Sequence, residues 1–202
     1  MIDEAGQSIE ISNLIPLMYG CQRLILIGDP NQLPATVFSQ KSLEHKYEQS
    51  LFERLMKSGY PISVLKTQYR MHPEISAVIG RNFYGQNLLD SETIINTEPS
   101  LVPKSFIILH LDNSAESSYK KSFRNMTEAH AVIDFVNYLS KSYNDIGVIS
   151  PYSQQIALLN SLGLGKNKKT EVKTIDSFQG REKDVIVFSA VRSRFVYRNK
   201  QN

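Results

Sequence analysis

The sequence predicts an α/β chain built on a parallel sheet, and three observations carry that expectation. Short apolar runs alternate with amphipathic helical segments along the 202 residues. The runs are continuous rather than alternating, as in strands covered on both faces. Clusters rich in Gly, Asp, Pro and Asn fall where the runs or their helices end, the position at which open α/β sheets bind ligands.

In chain order, residues 24–27 read as a short buried strand that delivers the turn Gly28-Asp29-Pro30-Asn31 to the C-terminal edge of the sheet. Ser50 is placed to cap a helix over 51–58, with Leu51, Phe52, Leu55 and Met56 on one face and Gly59 as its stop. Gly59-Tyr60-Pro61 marks the expected boundary between a domain at 1–60 and another at 61–202. Residues 62–65 are expected as a strand. Pro73 then opens a helix in which Ile75, Val78, Ile79 and Phe83 recur at helical spacing before Gly85. Residues 86–104 look irregular, 106–111 read as a strand and 113–124 as a polar loop. Asn125 or Thr127 caps a long helix to about 143, with Val132, Ile133, Val136 and Leu139 as its core face. A strand at 146–149, a helix at 153–162 stopped by Gly163, and strands at 172–175 and 185–191 complete the series. Neither an internal repeat nor a low-complexity segment interrupts it.

With 41% hydrophobic and 21% charged residues, the composition excludes disordered, collagen-like and coiled-coil classes. No apolar run approaches the roughly 18 residues of a membrane span, and the first residues lack the layout of a secretory signal. A soluble intracellular protein is expected. The single Cys21 excludes an internal disulfide, and the scatter of His45, His72, His110 and His130 argues against zinc, leaving metal chemistry to carboxylates. Charge is uneven. Residues 1–50 carry three Lys/Arg against six Asp/Glu, whereas 151–202 carry ten against four, clustered at Lys166, Lys168 and Lys169 and at Arg192, Arg194, Arg198 and Lys200. A basic second half suits a polyanion such as nucleic acid; a solvated loop and tail would read the same.

Four clusters carry chemistry. In Asp3-Glu4-Ala5-Gly6 two adjacent carboxylates can divide labour, one holding Mg²⁺ and one polarising a water, or can be plain solvated surface. In Gly28-Asp29-Pro30-Asn31-Gln32-Leu33-Pro34, Gln32 offers an uncharged donor and acceptor suited to a γ-phosphate and an attacking water, or caps an ordinary turn. In Thr67-Gln68-Tyr69-Arg70-Met71-His72-Pro73, Tyr69 can stack on a base while Arg70 grips phosphate oxygens bidentately. The bland alternative is a turn leading into a helix with Tyr69 in the core. His72 reads as a structural hydrogen-bonder, since no neighbour completes a dyad. In residues 174–184, Gly180 admits close backbone approach and Glu182 can accept from a ribose hydroxyl, unless this is only a charged connection.

These clusters, in this order, resemble superfamily 1 helicases of the senataxin and nonsense-transcript-regulator branch. IDEAG is similar to motif II of that family, LILIGDPNQLPAT to motif III, QYRMHP to motif IV and VKTIDSFQGREKDVIVFSAVRS to motif V with its following strand. The match runs over most of 2–193, and GDPNQLPATVFS with YEQSLFERL brings it nearest to senataxin-type proteins.

The resemblance implies two RecA-like domains, the tail of the first at 1–60 and most of the second at 61–202, clamping ATP and tracking 5′ to 3′ along single-stranded RNA or DNA, or acting on an RNA:DNA hybrid. By position Asp3 would hold Mg²⁺, Glu4 would be the general base and Gln32 the γ-phosphate sensor. Tyr69 would stack on adenine, Arg70 would reach the γ-phosphate, and Gly180 and Glu182 would meet phosphate and ribose. Pro151, Tyr152 and Ser177 would face the nucleic acid. The branch implies a nuclear or cytoplasmic site, the nucleus slightly favoured. No G-x-x-x-x-G-K-[ST] loop occurs in the sequence, and no motif VI follows Arg192-Ser193. A fragment without turnover of its own is therefore expected, its parent an ATPase. A non-catalytic nucleic-acid-binding scaffold would have no need of Asp3, Glu4, Gln32, Arg70 and Glu182 together, and a helicase-nuclease fusion would call for a further carboxylate set.

Overall fold

The computed structural model describes residues 1–95 and 104–193. The basic positions Arg194, Arg198 and Lys200 lie outside the described residues. The architecture is mixed α/β with a parallel sheet, and the chain divides into two compact units, Met1–Phe106 and Ile107–Asn202. The boundary expected at 60/61 concerns domains of the family rather than this packing. Among the described residues no helix is long and apolar enough to cross a membrane.

The first unit contains α1 (Glu10–Leu14), α2 (Gln40–Glu44), α3 (Leu51–Lys57), β1 (Thr67–Gln68), α4 (Pro73–Phe83), β2 (Leu89–Asp90) and α5 (Glu92–Ile95). Ser50 caps α3, its hydroxyl accepting the Glu53 N–H at 3.1 Å. The buried Leu51 lies at the start of α3, which packs on α1 and on the turn Ala5–Gln7. The Arg54 Nε donates to Glu10 Oε2 at 2.7 Å across that contact. In α4 the small residues Ser76 and Gly80, one turn apart, are the buried ones, whereas Val78 and Phe83 of the expected apolar face are exposed.

Three expected strands do not form. Residues 24–27 contribute one parallel bridge, Ile2 to Leu26. Residues 62–65 have no ladder partner among the described residues, leaving Val64 64% and Leu65 91% exposed; the nearest strand is β1, paired in parallel with β2. An apolar β-branched run favours extension, but a strand exists only where another backbone completes its hydrogen bonds. The expected strand at 106–111 is irregular for the same reason.

The second unit contains β3 (Glu116–Tyr119), β4 (Ser122–Asn125), α6 (Met126–Leu139), β5 (Ile146–Ser150), α7 (Ser153–Ser161), β6 (Thr170–Thr174), α8 (Ile175–Phe178) and β7 (Val185–Phe188). Its sheet is parallel with the order β6-β5-β7. β5, in the middle, is buried at Ile146, Gly147, Val148 and Ser150. Asn125 caps α6 by accepting the Glu128 N–H at 3.0 Å, and Ala129, Val132, Val136 and Leu139 form its buried stripe. The region expected as a polar loop, 113–124, holds the antiparallel hairpin β3–β4 instead. Its Ser-rich strands and Lys-Lys turn carry neither apolar alternation nor a Gly-containing turn, the signals that announce a hairpin. The last strand stops at Phe188 rather than 191, because the backbone beyond it turns to the Glu128 carboxylate, which accepts the Val191 N–H at 3.0 Å.

A buried polar seam binds these elements. Gln155 Oε1 accepts the Asn125 N–H at 2.8 Å, and its Nε2 donates to the Asn125 carbonyl (3.3 Å) and to Ser189 Oγ (3.1 Å). The Asn125 Nδ2 donates to the Val191 carbonyl at 3.1 Å, and Ser189 Oγ donates to Glu128 Oε1 at 2.7 Å. Buried amides satisfied on every side fix one arrangement of α6, α7 and the end of β7.

Candidate functional site

The parallel bridge between Ile2 and Leu26 brings the two acidic loops of the first unit side by side. The Ile2 N–H donates to the Ile25 carbonyl (2.9 Å), the Ile27 N–H to the Ile2 carbonyl (2.9 Å) and the Ala5 N–H to the Ile27 carbonyl (2.8 Å). The two segments therefore leave the bridge in the same direction, one as Asp3-Glu4 and the other as Gly28-Asp29. Their approach is so close that a Cβ on Gly28 would meet the Gly6 nitrogen at 2.8 Å, and one on Gly6 the Asp29 carbonyl oxygen at 3.0 Å. Only glycine fits at Gly28.

At the mouth of this pair Asp3 and Glu4 are both exposed. Asp3 Oδ1 accepts the Glu4 N–H at 2.9 Å, and Glu4 Oε2 accepts from Gln7 Nε2 at 2.9 Å. Glu4 adopts a left-handed backbone conformation, φ 49° and ψ 37°. For a non-glycine residue this costs about 1–2 kcal/mol, and such strain clusters at functional sites.

The facing loop is organised by Asp29. Its Oδ1 accepts the Asn31 N–H (2.9 Å), and its Oδ2 accepts from Gln32 Nε2 (3.2 Å) and from the Tyr84 hydroxyl (2.5 Å). Asn31 Nδ2 donates to the Phe83 carbonyl at 3.0 Å. The exposed Gln32 is thus held over its own loop, and the loop is tied to the C-terminal end of α4. Burial, and then the hydrogen bond to the Asp29 carboxylate, push the Tyr84 phenol up to about 12.

The N-terminal end of α4 carries Tyr69 and Arg70. Gln68 is the anchor: Oε1 accepts the N–H groups of Arg70 (2.8 Å) and Met71 (2.7 Å), while Nε2 donates to the Met71 carbonyl (2.6 Å) and to Asp90 Oδ1 (2.7 Å). Hydrogen bonds from Ser76 and then from Gln68 hold the Asp90 carboxyl below its ordinary range. Tyr69 stands 70% exposed on this turn, out of the core, and Arg70 is exposed beside it. His72 Nδ1 accepts the Glu74 N–H at 3.2 Å and caps α4, a structural role. Sequence reasoning passed over Gln68 and Tyr84 as positioning groups. For Gln68 the signal was present, a side-chain amide two and three residues ahead of the backbone it bonds.

In the second unit Pro151 and Tyr152 follow β5, and Ser177 follows β6, so all three lie at the C-terminal edge of the sheet. Tyr152 packs edge-on against Phe123, ring centroids 5.5 Å apart, and Ser177 donates its N–H to Thr174 Oγ1 at 3.4 Å. Gly180 and Glu182 sit on the connection back to the start of β7. There Arg181 pairs with Glu171, and Lys183 Nζ donates to Asp145 Oδ1 at 2.7 Å. This connection runs to the opposite end of the sheet from Ser177. Gly180 has φ 74°, a conformation that a side chain would strain although the space around it is open.

Two families described as AAA domains match the chain, one over residues 47–202 and the other over 1–40. Helicase SEN1 of Saccharomyces cerevisiae is 39% identical over 96% of this chain and 10% of its own length. Regulator of nonsense transcripts 1 homolog of Arabidopsis thaliana is 38% identical over 96% of this chain and 17% of its own. Probable helicase senataxin of Homo sapiens is 32% identical over 97% and 8%. The chain spans less than a fifth of the length of each of these three relatives.

Proposed function

Because the chain belongs to the superfamily 1 helicases, in the senataxin and nonsense-transcript-regulator branch, we propose that it supplies part of the motor of an ATP-driven RNA or DNA helicase. In this reading 1–60 is the end of a first RecA-like domain and 61–202 most of a second. ATP binds between them and a single strand, or one strand of an RNA:DNA hybrid, is drawn through 5′ to 3′. The supporting observation is the parallel bridge between Ile2 and Leu26 with the close approach of Gly6 and Gly28, from which Asp3-Glu4 and the loop bearing Gln32 leave side by side.

The donor set suits Mg²⁺, which takes one or two carboxylates and completes its shell with water and phosphate oxygens. Asp3, exposed and with Oδ1 on the Glu4 N–H, is the residue that would hold it. The ion would offset charge on the phosphates. Glu4 takes the proton of the attacking water onto its carboxylate, and the strained backbone fixes where that carboxylate stands. The Gln32 amide registers the γ-phosphate, Arg70 clamps its oxygens, and Tyr69 offers its ring to the adenine. Gly180 and Glu182 meet phosphate and ribose. Pro151, Tyr152 and Ser177 face the strand. A site of action in the nucleus or cytoplasm, the nucleus slightly favoured, belongs to the same reading.

The 202 residues contain no G-x-x-x-x-G-K-[ST] loop, whose amides and lysine supply most phosphate affinity, so this reading assigns that loop to another part of the helicase. The purified chain should release no phosphate from ATP, and nucleic-acid-stimulated hydrolysis by it would contradict the assignment. In the complete helicase Arg70→Ala should lower turnover by about a hundredfold or more while leaving single-strand affinity within about twofold. Equal loss of both would remove Arg70 from the phosphate site.

A further inference from the structure

We propose that the β3–β4 hairpin is a contact site for a single-stranded nucleic-acid backbone, gripping phosphates through Lys120 and Lys121 at its tip and presenting Tyr119 and Arg124 on its outer face. The inference takes the class of ligand from the helicase reading, and its site from the hairpin alone.

The register places the pairs Tyr119 with Ser122 and Ser117 with Arg124 on one face, and Phe123 on the other. The Phe123 face is docked. Ser122 Oγ, on the Tyr119 face, accepts the Gln154 N–H at 3.5 Å, while on the Phe123 face the ring meets Tyr152 edge-on and the Arg192 guanidinium lies 4.5 Å from its centroid. The acid of the hairpin is engaged on this side, with Glu116 accepting from Arg192 Nε (2.8 Å) and from the Ser193 N–H (2.7 Å). It therefore does not offset the charge at the tip. These contacts seat the hairpin at the C-terminal edge of the sheet, beside Pro151 and Tyr152.

The outer face is basic and aromatic. Arg124 lies 4.4 Å and Lys120 5.5 Å from the centroid of Tyr119. Such a pairing offers a ring for a base and cations for phosphates, the combination by which single strands are held without base readout. The tip supplies the independent observation. Lys120 and Lys121 form a two-residue loop with φ of 46° and 64°. A turn with both central residues at positive φ is the preserve of Asn-Gly, and two lysines are there at a cost in backbone strain. Strain of this kind persists where side chains are needed for something besides folding.

The test is fluorescence anisotropy of the 202-residue chain with labelled oligouridylate and oligothymidylate of about 15 nucleotides, over a range of salt. Lys120→Asn/Lys121→Gly installs the preferred turn and removes both charges. It should raise the thermal midpoint, yet weaken binding roughly twentyfold at 0.1 M salt and cut the salt slope by about 1.4, alike on both probes. Lys120→Gln/Lys121→Gln, which leaves the turn type alone, should lose the same affinity, and Lys120→Arg/Lys121→Arg should retain it. Lys166→Gln/Lys168→Gln, on the loop before β6 and so at the other edge of the sheet, should bind within about twofold of the parent. Unchanged affinity in the two charge-removing hairpin variants, equal loss in the Lys166/Lys168 variant, or loss confined to one probe overturns the proposal. Failure of the unaltered chain to bind either probe overturns the helicase reading along with it.

Discussion

In Met1–Phe106 the candidate residues stand on loops, tied largely by side chains that bond nearby groups around, among the described residues, one bridge and one two-residue strand pair. In Ile107–Asn202 the candidate nucleic-acid residues stand at the ends of parallel strands, with a buried central strand and a seam of satisfied amides beneath them. The first arrangement aims Glu4, Gln32 and Arg70 individually, so each should respond to loss of a single anchor. The second spreads its constraint over Asn125, Glu128, Gln155 and Ser189, and should fail as a whole or hardly at all.

The largest effect is expected of Gln155→Leu. The substitution takes the side-chain partner from the Asn125 N–H and carbonyl and leaves Ser189 only its bond to Glu128, and should cost roughly 3 kcal/mol. Urea unfolding would read it, and a loss below about 1 kcal/mol would deny the seam its role. Gly28→Ala comes next. Its Cβ meets the Gly6 nitrogen, so the two acidic loops must part at about 2 kcal/mol, with amide exchange accelerated at Ala5 and Ile27 and unchanged along β5.

Gln68→Ala sharpens the contrast with less disturbance. It should speed exchange of the Arg70 and Met71 amides by about tenfold while the thermal midpoint barely moves. The smallest effect belongs to Tyr84. Its pKa is raised from 10 to about 12, so the stability it lends is intact below pH 10 and lost as pH climbs toward 12. A tyrosinate absorbance rise centred near 12 should therefore vanish in Tyr84→Phe, and Asp29→Asn should move it to lower pH.

The same contrast explains what could be read from the sequence. The helices of the second unit announce themselves by apolar spacing and caps, as α6 does through Asn125 and its buried Val132, Val136 and Leu139. β5 does so by an unbroken apolar run. The runs at 62–65 and 106–111 carry the same local signal without a pairing partner, and local propensity contains no information about partners. The hairpin escaped because its tip uses lysines where turn chemistry prefers Asn-Gly. At the candidate site, residue types and order pointed to Asp3, Glu4, Gln32, Tyr69 and Arg70. The groups that tie the Gln32 loop to α4 depend on contacts more than fifty positions away, as Tyr84 does on Asp29 and Asn31 on the Phe83 carbonyl.

The most direct measurement is ATP turnover by the complete helicase carrying Glu4→Gln, which keeps the shape of the side chain and removes the proton acceptor. Turnover should fall by about a hundredfold or more, with affinity for ATP and for single-stranded nucleic acid held within about twofold. Turnover that survives the change, or that falls only in step with nucleotide affinity, would contradict the role of Glu4 as proton acceptor.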